Sequence, residues 1–305
     1  MTTDISNSLD KLRRALGVAS PPKEITQEDF DGGRDHLYRL ARLSADEDAN
    51  GLDLCEYMSD LLYTEIQVPF FLFVLPFCLK AWSRGLRAGD LEYPGFVDEF
   101  YPVLAKRGIF ERHLTPTQGE AVRGFMRASI LDEIDAQNGL YFRGSGARPY
   151  RWIYAITTYG VIAPDIERIW TSWWSVETVG RAIATVQYIS CLMYAKDGNP
   201  VFAPYSREEG GGPPSLWEFD GHLYENRWQQ PNIDFLENLF RAPECVSEVL
   251  ARAVNRLADQ PEHEAAAKIL ADLPSRSRTL VDRCAMLPLF LATPGQTMDG
   301  SDWPS

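Results

Sequence analysis

Apolar residues recur at every third or fourth position along most of this chain, which is the spacing of one buried face of an α-helix. The pattern is strongest over residues 52–67, 116–136 and 176–193, and a weaker stripe over 29–43 includes Phe30. We therefore predict a mainly α fold, a multi-helix globular bundle of about ten helices. Shorter helices are expected at residues 9–16, 96–104, 232–240, 243–257 and 261–270.

The clearest local signal is the start of one helix, at Thr115-Pro116-Thr117-Gln118. A capping threonine accepts a hydrogen bond from the backbone of the third helical residue, and a glutamine there bonds back to the threonine amide. Proline fits the first turn, where its missing N–H has no intrahelical acceptor. The four residues predict a capped helix that begins at Pro116.

The longest apolar run, residues 68–79, lies between Gln67 and Lys80. As a helix it would span about 18 Å, well short of the roughly 30 Å hydrocarbon core of a bilayer. Pro69 and Pro76 are expected to break it further, because proline removes a backbone donor. We interpret the run as a buried core segment and expect no membrane partner.

One β element is predicted, near residues 193–203. Asp197-Gly198 lies there between two short apolar runs, and Asp-Gly in that position is the strongest short-range signal of a two-residue hairpin turn. We therefore expect one small β-hairpin in an otherwise helical protein.

A glycine-rich, basic stretch at residues 139–150 is the predicted connection between two parts of the chain. It would join an N-terminal helical half, 1–138, to a C-terminal helical half, 151–305. A chain of 305 residues exceeds the usual domain size but still falls within reach of a single domain. One continuous domain is therefore the alternative.

The chain is acidic, with 30 Lys and Arg against 43 Asp and Glu, and its formal net charge is −13. The acidic excess is spread over both halves rather than gathered in a tail. A negative surface repels phosphate backbones and anionic membranes, so we expect no nucleic-acid partner. A basic protein would be attracted to it, although solubility alone explains the same charge.

The cysteines, the histidines and the start of the chain predict a cytoplasmic protein without a cofactor. Five cysteines with no C-x-x-C pair suit reduced thiols in a reducing compartment. The four histidines form no i, i+4 pair, so no metal site is predicted. The first residues are polar and lack the apolar stretch of a secretory signal.

Known catalytic motifs are missing from the sequence, so no catalytic residue is assigned. It contains no G-x-S-x-G, no P-loop and no H-E-x-x-H. A dispersed site leaves no local motif, however, and a hydrolase-like enzyme with a site in a helical pocket stays open as an alternative. Its candidate groups are Asp132, Asp135, Glu177, Arg151 and Arg181, although a solvated helix face explains the first two more simply.

The main candidate for a partner-binding surface is the acidic, aromatic stretch at residues 205–248. Acidic residues outnumber arginines there and alternate with Trp and Tyr, a composition that suits recognition of a basic protein. A charged, solvated rim around a core is the alternative. The predicted contact residues are Glu208, Glu209, Trp217, Glu218, Asp220, Tyr224, Glu225 and Trp228.

A second candidate surface carries three tryptophans, Trp170, Trp173 and Trp174, which share one face of a predicted helix. Such a face is most often part of a core. Its functional interpretation is a partner or ligand surface, because Trp and Arg dominate interface hot spots. Arg151 and Arg181 lie near in sequence and complete the candidate set.

Residues 62–82, LYTEIQVPFFLFVLPFCLKAW, and 113–134, HLTPTQGEAVRGFMRASILDEI, carry a resemblance to other proteins. An aromatic-rich segment with Leu-Pro, followed by a helix capped by Leu-Thr-Pro-x-Gln, resembles a family of bacterial helical proteins without an established activity. The resemblance covers about residues 50–135 and implies a helical fold but no site residues. In style the chain is similar to acidic immunity and accessory proteins of bacterial conflict systems.

These features together favour a cytosolic protein-binding module. The most specific form of this hypothesis is an immunity or inhibitor protein that neutralises a basic bacterial toxin through its acidic aromatic surface. A hydrolase-like enzyme and a scaffold subunit of a larger assembly are the alternatives.

Overall fold

The computed structural model describes residues 3–18, 20–30, 32–88, 94–140, 166–194, 199–202 and 230–291. Over these residues the protein is mainly α, as predicted, with twelve α-helices, one 3₁₀ turn and no strand. The contacts divide the chain into two compact units, and the division falls after Glu133. The predicted connection at 139–150 lies mostly outside the described residues.

Unit 1 contains six complete helices and most of a seventh. Its core is formed by leucines of α1 and α3 and by the aromatic residues of α4 and α5. The helices are α1 (Thr3–Leu16), α2 (Asp35–Leu40), α3 (Gly51–Tyr63), α4 (Val68–Ala88), α5 (Pro94–Lys106), α6 (Ile109–Arg112) and α7 (Pro116–Asp135), of which the last two residues belong to unit 2.

The capping motif at the start of α7 is confirmed. The Thr115 amide donates to Gln118 Oε1 at 2.9 Å, and the Gln118 amide donates to Thr115 Oγ1 at 3.3 Å. Gln118 Nε2 also donates to the Leu16 carbonyl at 3.3 Å, which ties the end of α1 to the start of α7. The cap therefore has both a local and a tertiary role.

The apolar run at 68–79 is one part of a longer helix, α4, so the expectation that Pro76 breaks it is wrong. Pro76 lies inside α4, and Phe71, Val74 and Leu75 around it are fully buried. Burying each such side chain is worth about 1.5–3 kcal/mol, which offsets the roughly 3 kcal/mol that an interior proline costs.

Among the described residues, α4 is the one helix long and apolar enough to cross a membrane by length and composition. More than half of its apolar stretch, Val68–Leu86, is buried inside the protein. That burial is what the core helix of a soluble protein shows, and it agrees with the interpretation of the run as core.

Unit 2 is built around α9, whose residues are almost all buried. Helices α8, α11 and α12 pack against α9, and α10 packs against α8 and α12. The helices of this unit are α8 (Ile166–Trp174), α9 (Val179–Tyr194), α10 (Gln230–Phe240), α11 (Pro243–Arg256) and α12 (His263–Leu291).

The predicted β-hairpin at 193–203 is not supported. Met193 and Tyr194 form the last turn of α9, and Pro200–Phe202 is a 3₁₀ turn. Residues 195–198 lie outside the described residues. Tyr194 is held in the helix by α12, because its hydroxyl donates to Asp272 Oδ2 at 2.5 Å and Arg276 lies 4.1 Å from its ring centroid.

Gly180, at the start of α9, lies very close to the backbone at the end of α7. A Cβ atom built on it would lie 2.2 Å from the Asp135 carbonyl oxygen and 2.5 Å from that of Ile134. Both obstacles are backbone atoms, which no rotamer change can move. The packing of α9 against the end of α7 therefore depends on a residue without a side chain.

Candidate functional site

The eight predicted contact residues of the main surface lie outside the described residues, as does Arg151 of the second surface. The end of that stretch, residues 230–248, is described and lies mostly in α10 and α11. The binding role of that stretch stays a prediction. The eight predicted contact residues are Glu208, Glu209, Trp217, Glu218, Asp220, Tyr224, Glu225 and Trp228.

The second predicted surface is not a surface, because its tryptophans form the core of unit 2. Trp170 and Trp173 have no exposed area, and Trp174 is 5% exposed. The Trp170 ring centroid lies 5.2 Å from that of Trp173, 5.6 Å from that of Tyr188 and 6.3 Å from that of Phe240. Their indole rings are therefore committed to internal packing.

Asp135 and Arg181, two groups of the alternative enzyme site, form a bidentate ion pair. Arg181 Nε lies 2.8 Å from Asp135 Oδ1, and Arg181 Nη2 lies 3.0 Å from Oδ2. Arg181 Nη1 also donates to the Ser172 carbonyl at 2.9 Å. Glu177 adds a weaker contact, 3.5 Å from Nη1. Asp132 is half-buried and belongs to unit 1.

This ion pair stabilises the turn between α8 and α9. Val176, in that turn, has a φ of 59°, a left-handed conformation that strains a β-branched residue. Arg181 fixes the turn from one side by bonding Ser172, and Arg252 Nη2 donates to the Trp174 carbonyl at 3.3 Å. The arginines thus bond backbone carbonyls, and we assign Asp135–Arg181 a structural role.

A cavity of about 240 Å³ in unit 1 brings together charged residues that the sequence analysis did not connect. We call it the carboxylate pocket. Its lining side chains come from one face of α3, from α2 and from the irregular segment before α2. The residues are Asp29, Gly33, His36, Cys55, Glu56, Ser59 and Asp60.

Helix α3 positions most of this pocket. It begins after Asn50, whose side chain accepts a hydrogen bond from the Leu52 amide at 2.8 Å. Glu56, Ser59 and Asp60 follow one another at helical spacing, so they share a face. Helix α3 packs on α2 and α5. The Ser59 hydroxyl donates to the Glu99 carboxylate of α5 at 2.8 Å.

His36 and Asp60 form a buried ion pair at the base of the pocket. Their side chains are each 4% exposed, and His36 Nε2 lies 2.6 Å from Asp60 Oδ2. Burial alone would lower the pKa of His36, but the Asp60 hydrogen bond and charge, the Glu56 charge and the Gly33 carbonyl together raise it. The protonated imidazole is therefore favoured by its surroundings, because Nε2 lies against Asp60 and Nδ1 faces Glu56.

Asp60 also attaches the irregular segment before α2 to α3. Its Oδ1 accepts from the Phe30 amide at 2.8 Å. Further along, Gln67 Oε1 accepts from the Gln27 amide at 3.1 Å, and Gln27 Oε1 accepts from the Gln67 amide at 2.9 Å. These reciprocal bonds, which we call the glutamine clasp, order a segment that has no regular structure.

The pocket therefore holds three carboxylates against one histidine. One acceptor, Asp29 Oδ1, is buried and receives no hydrogen bond from any residue that the structure describes. Glu56 is 44% exposed, and its ion-pair contacts within the described residues are long, 3.5 Å to His36 Nδ1 and 3.9 Å to Arg39. In the part of the chain that the structure describes, no group of His, Cys, Asp or Glu is arranged to hold a metal ion. The pocket suits an organic cation that donates hydrogen bonds.

A stacked pair of exposed aromatic rings borders the pocket. The ring centroids of Phe30 and Tyr63 lie 4.4 Å apart at an interplanar angle of 27°. Phe30 is 54% exposed and Tyr63 is 66% exposed. Tyr63 lies one turn beyond Ser59 on α3, and Phe30 directly follows Asp29. We call Phe30, Tyr63 and the carboxylate pocket together the aromatic–acidic surface.

Replacing His36 with glutamine is expected to lower the free energy of unfolding by about 1.5–3 kcal/mol at pH 6. Glutamine can still donate to Asp60, but it lacks the charge. Because the folded-state pKa of His36 is raised above 6.5, its contribution is complete below about pH 6.5 and is lost as the pH rises through the folded value. Urea unfolding from pH 5.5 to 8.5 measures the difference.

The same series with His113→Gln is the control, since the pKa of His113 is lowered by burial and by Arg107 and Arg112. The contribution of His113 to the free energy of unfolding is present at high pH, and it is lost as the pH falls through the pKa that His113 has in the unfolded chain. The two variants should therefore show opposite pH trends. A pH-independent effect of His36→Gln would show that His36 is neutral in the folded protein.

Sequence reasoning missed this surface, although one signal for it was present. Leu52, Glu56, Ser59 and Tyr63 recur at i, i+4, i+7 and i+11, which is a second stripe on α3 beside its buried one. Leu52 is also exposed. Comparison of the chain with protein-family models, with curated proteins and with solved structures gives no match.

Proposed function

We propose that this chain is a protein-binding module that recognises a basic surface of a protein partner. The observation that carries the proposal is the exposed Phe30–Tyr63 stack beside a pocket rich in carboxylates. The partner is expected to insert an arginine or lysine side chain into the carboxylate pocket and to cover the two rings.

The aromatic pair supports a protein contact because two large rings lie together on the surface instead of in a core. Single exposed apolar residues are ordinary, but adjacent exposed aromatic rings resemble the hot spots of protein interfaces. Their positions are fixed, since Asp60 holds the Phe30 amide and α3 carries Tyr63. A prearranged surface loses less entropy on binding.

The charges support a basic partner. Among the described residues, Asp29 Oδ1 is a buried acceptor without a donor, and the ion-pair contacts of the exposed Glu56 are 3.5 Å or longer. An incoming guanidinium or ammonium group would supply donors to both. The net charge of −13 would also attract a basic protein over a longer range.

The finer form of the proposal comes from the sequence. It is a cytosolic immunity or inhibitor protein that neutralises a basic bacterial toxin, with the stretch at 205–248 as a further contact. A scaffold subunit of a larger assembly would use the same kind of surface, and the stoichiometry of the complex separates the two.

The proposal is tested by co-expressing the tagged chain with each protein encoded beside it and measuring the Kd of any complex by calorimetry. Tyr63→Ser is expected to weaken binding about 30-fold, the effect of losing an aromatic hot spot. Glu56→Gln is expected to weaken it about fivefold and to reduce its salt dependence. A basic partner with these responses supports the proposal.

Two matched variants in unit 2 serve as controls. Val281→Ser removes an exposed apolar side chain, and Glu264→Gln removes an exposed carboxylate. Both should leave the Kd unchanged. If Trp217→Ala and Glu218→Gln weaken the complex but Tyr63→Ser does not, the partner binds the sequence-predicted stretch at 205–248 and not the aromatic–acidic surface. An acidic partner, or no partner among the neighbouring products, would overturn the proposal.

A further inference from the structure

A second pocket in unit 1, with a volume of about 320 Å³, is lined mainly by cationic groups. Arg107 follows the end of α5, and Arg112 and His113 lie at the end of α6. Glu65 and Ile66 line the pocket from the connection between α3 and α4. This site is separate from the aromatic–acidic surface, with which it shares no lining residue.

The turn between α5 and α6 brings the two arginines to one pocket. Gly108 takes a left-handed conformation there, with φ 58° and ψ 43°. The Arg112 side chain passes against this turn, because a Cβ atom on Gly108 would lie 3.3 Å from Arg112 Nε. Arg107 donates one hydrogen bond to the Thr64 carbonyl. The Arg107 guanidinium is therefore held by a backbone carbonyl, and the Arg112 side chain lies against the turn.

Neither arginine is neutralised within the described part of the chain, where no carboxylate lies within the 4.0 Å of an ion pair with Arg107 or Arg112. The nearby imidazole senses the resulting positive field. Burial lowers the pKa of His113, and the charges of Arg107 and Arg112 lower it further. A bound anion would reverse the last two effects.

We propose that this pocket is a binding site for a small phosphorylated molecule, whose phosphoryl group is held by Arg107, Arg112 and His113. Two guanidinium groups match the charge of a phosphate dianion, and their planar donors match its oxygens. The volume is that of a small-molecule pocket. Glu65 accepts a hydrogen bond from a hydroxyl or amino group elsewhere on the ligand.

The site is tested on the full chain by following the imidazole C–H signals by NMR while inorganic phosphate is added at constant ionic strength. The His113 signal, identified by its loss in His113→Gln, is expected to shift in a saturable way. Its pKa should rise, because a bound dianion favours the imidazolium form. Sulfate should act similarly, whereas acetate should bind more weakly.

Arg112→Gln tests the assignment, since Arg112 is exposed and its loss should not disturb the fold. It is expected to raise the Kd for phosphate at least about tenfold, as losing a charge-assisted hydrogen bond does. Arg42→Gln removes an exposed arginine of the same unit that does not line the pocket, so the Kd should stay within about twofold.

Three results would overturn the proposal. One is a His113 signal that does not respond to phosphate beyond the response to chloride. Another is an equal loss of phosphate binding in Arg42→Gln and Arg112→Gln, which would indicate general charge screening. The third is acetate binding as tight as phosphate binding, which would exclude selection of a phosphoryl group.

Discussion

Replacing Gly180 with alanine should lower the free energy of unfolding of unit 2 by about 3 kcal/mol or more. The added Cβ would lie 2.2 Å from the Asp135 carbonyl oxygen and 2.5 Å from the carbonyl oxygen of Ile134. Because both atoms belong to the backbone of α7, the helices must separate to admit a methyl group. Urea unfolding followed by circular dichroism measures the loss.

Gly124→Ala is the matched control. Gly124 also lies inside a helix, but the nearest atom to its Cβ position is an Arg127 guanidinium nitrogen at 3.8 Å. Alanine there should be neutral or should stabilise α7 by about 0.5–1 kcal/mol, through its higher helix propensity. If the two alanine variants were equally stable, the close approach at Gly180 would not exist in solution.

Trp170→Ala is expected to lower the free energy of unfolding by about 3–5 kcal/mol. Trp170 is fully buried, and its ring contacts those of Trp173, Trp174 and Phe240. Alanine would leave a cavity that these rigid rings cannot fill. Chemical denaturation measures the loss, and weakened near-ultraviolet circular dichroism should accompany it in the folded variant.

Trp170→Phe is the control for this prediction. Phenylalanine keeps an aromatic ring in the cluster and removes the indole N–H, which is buried and has no acceptor among the described residues. Its cost should therefore be smaller, about 1–2 kcal/mol. A loss below about 1 kcal/mol for Trp170→Ala would place the ring outside the core, as the surface interpretation of the sequence required.

The helices could be predicted where a local signal and the tertiary environment agree. Thr115 and Gln118 form their cap as predicted because the capping box needs no partner from elsewhere in the chain. The turn signal at Asp197-Gly198 failed to predict the structure before it. Tyr194 stays helical because Asp272 and Arg276, far away in sequence, hold its side chain.

The continuity of α12 could not be predicted, because its middle part is helical without a local sequence signal. The sequence indicates one helix over 261–270 and a separate apolar segment over 280–291. Residues 271–279, between them, show no apolar periodicity, and in the structure they are exposed or half-buried. The helix continues there without a buried face of its own, supported by packing on either side.

The aromatic–acidic surface depends on contacts that no spacing rule describes. His36 and Asp60 are 24 positions apart and meet because α2, which carries His36, packs on α3. Phe30 belongs to an apolar stripe by sequence, yet it stacks on Tyr63 at the surface. The apolar periodicity places Phe30 on a buried stripe, but the path of the irregular segment before α2 decides that its ring is exposed.

The glutamine clasp gives partner binding a thermodynamic consequence beyond the interface itself. A partner that covers both Phe30 and Tyr63 would bind the segment before α2 and helix α3 at once, and the glutamine clasp and Asp60 hold this segment in place. By mass action, a partner at 100 times its Kd would oppose their separation by about 2.7 kcal/mol. The amides of Gln27 and Phe30, which donate to Gln67 and Asp60, would then exchange their hydrogens about a hundredfold more slowly.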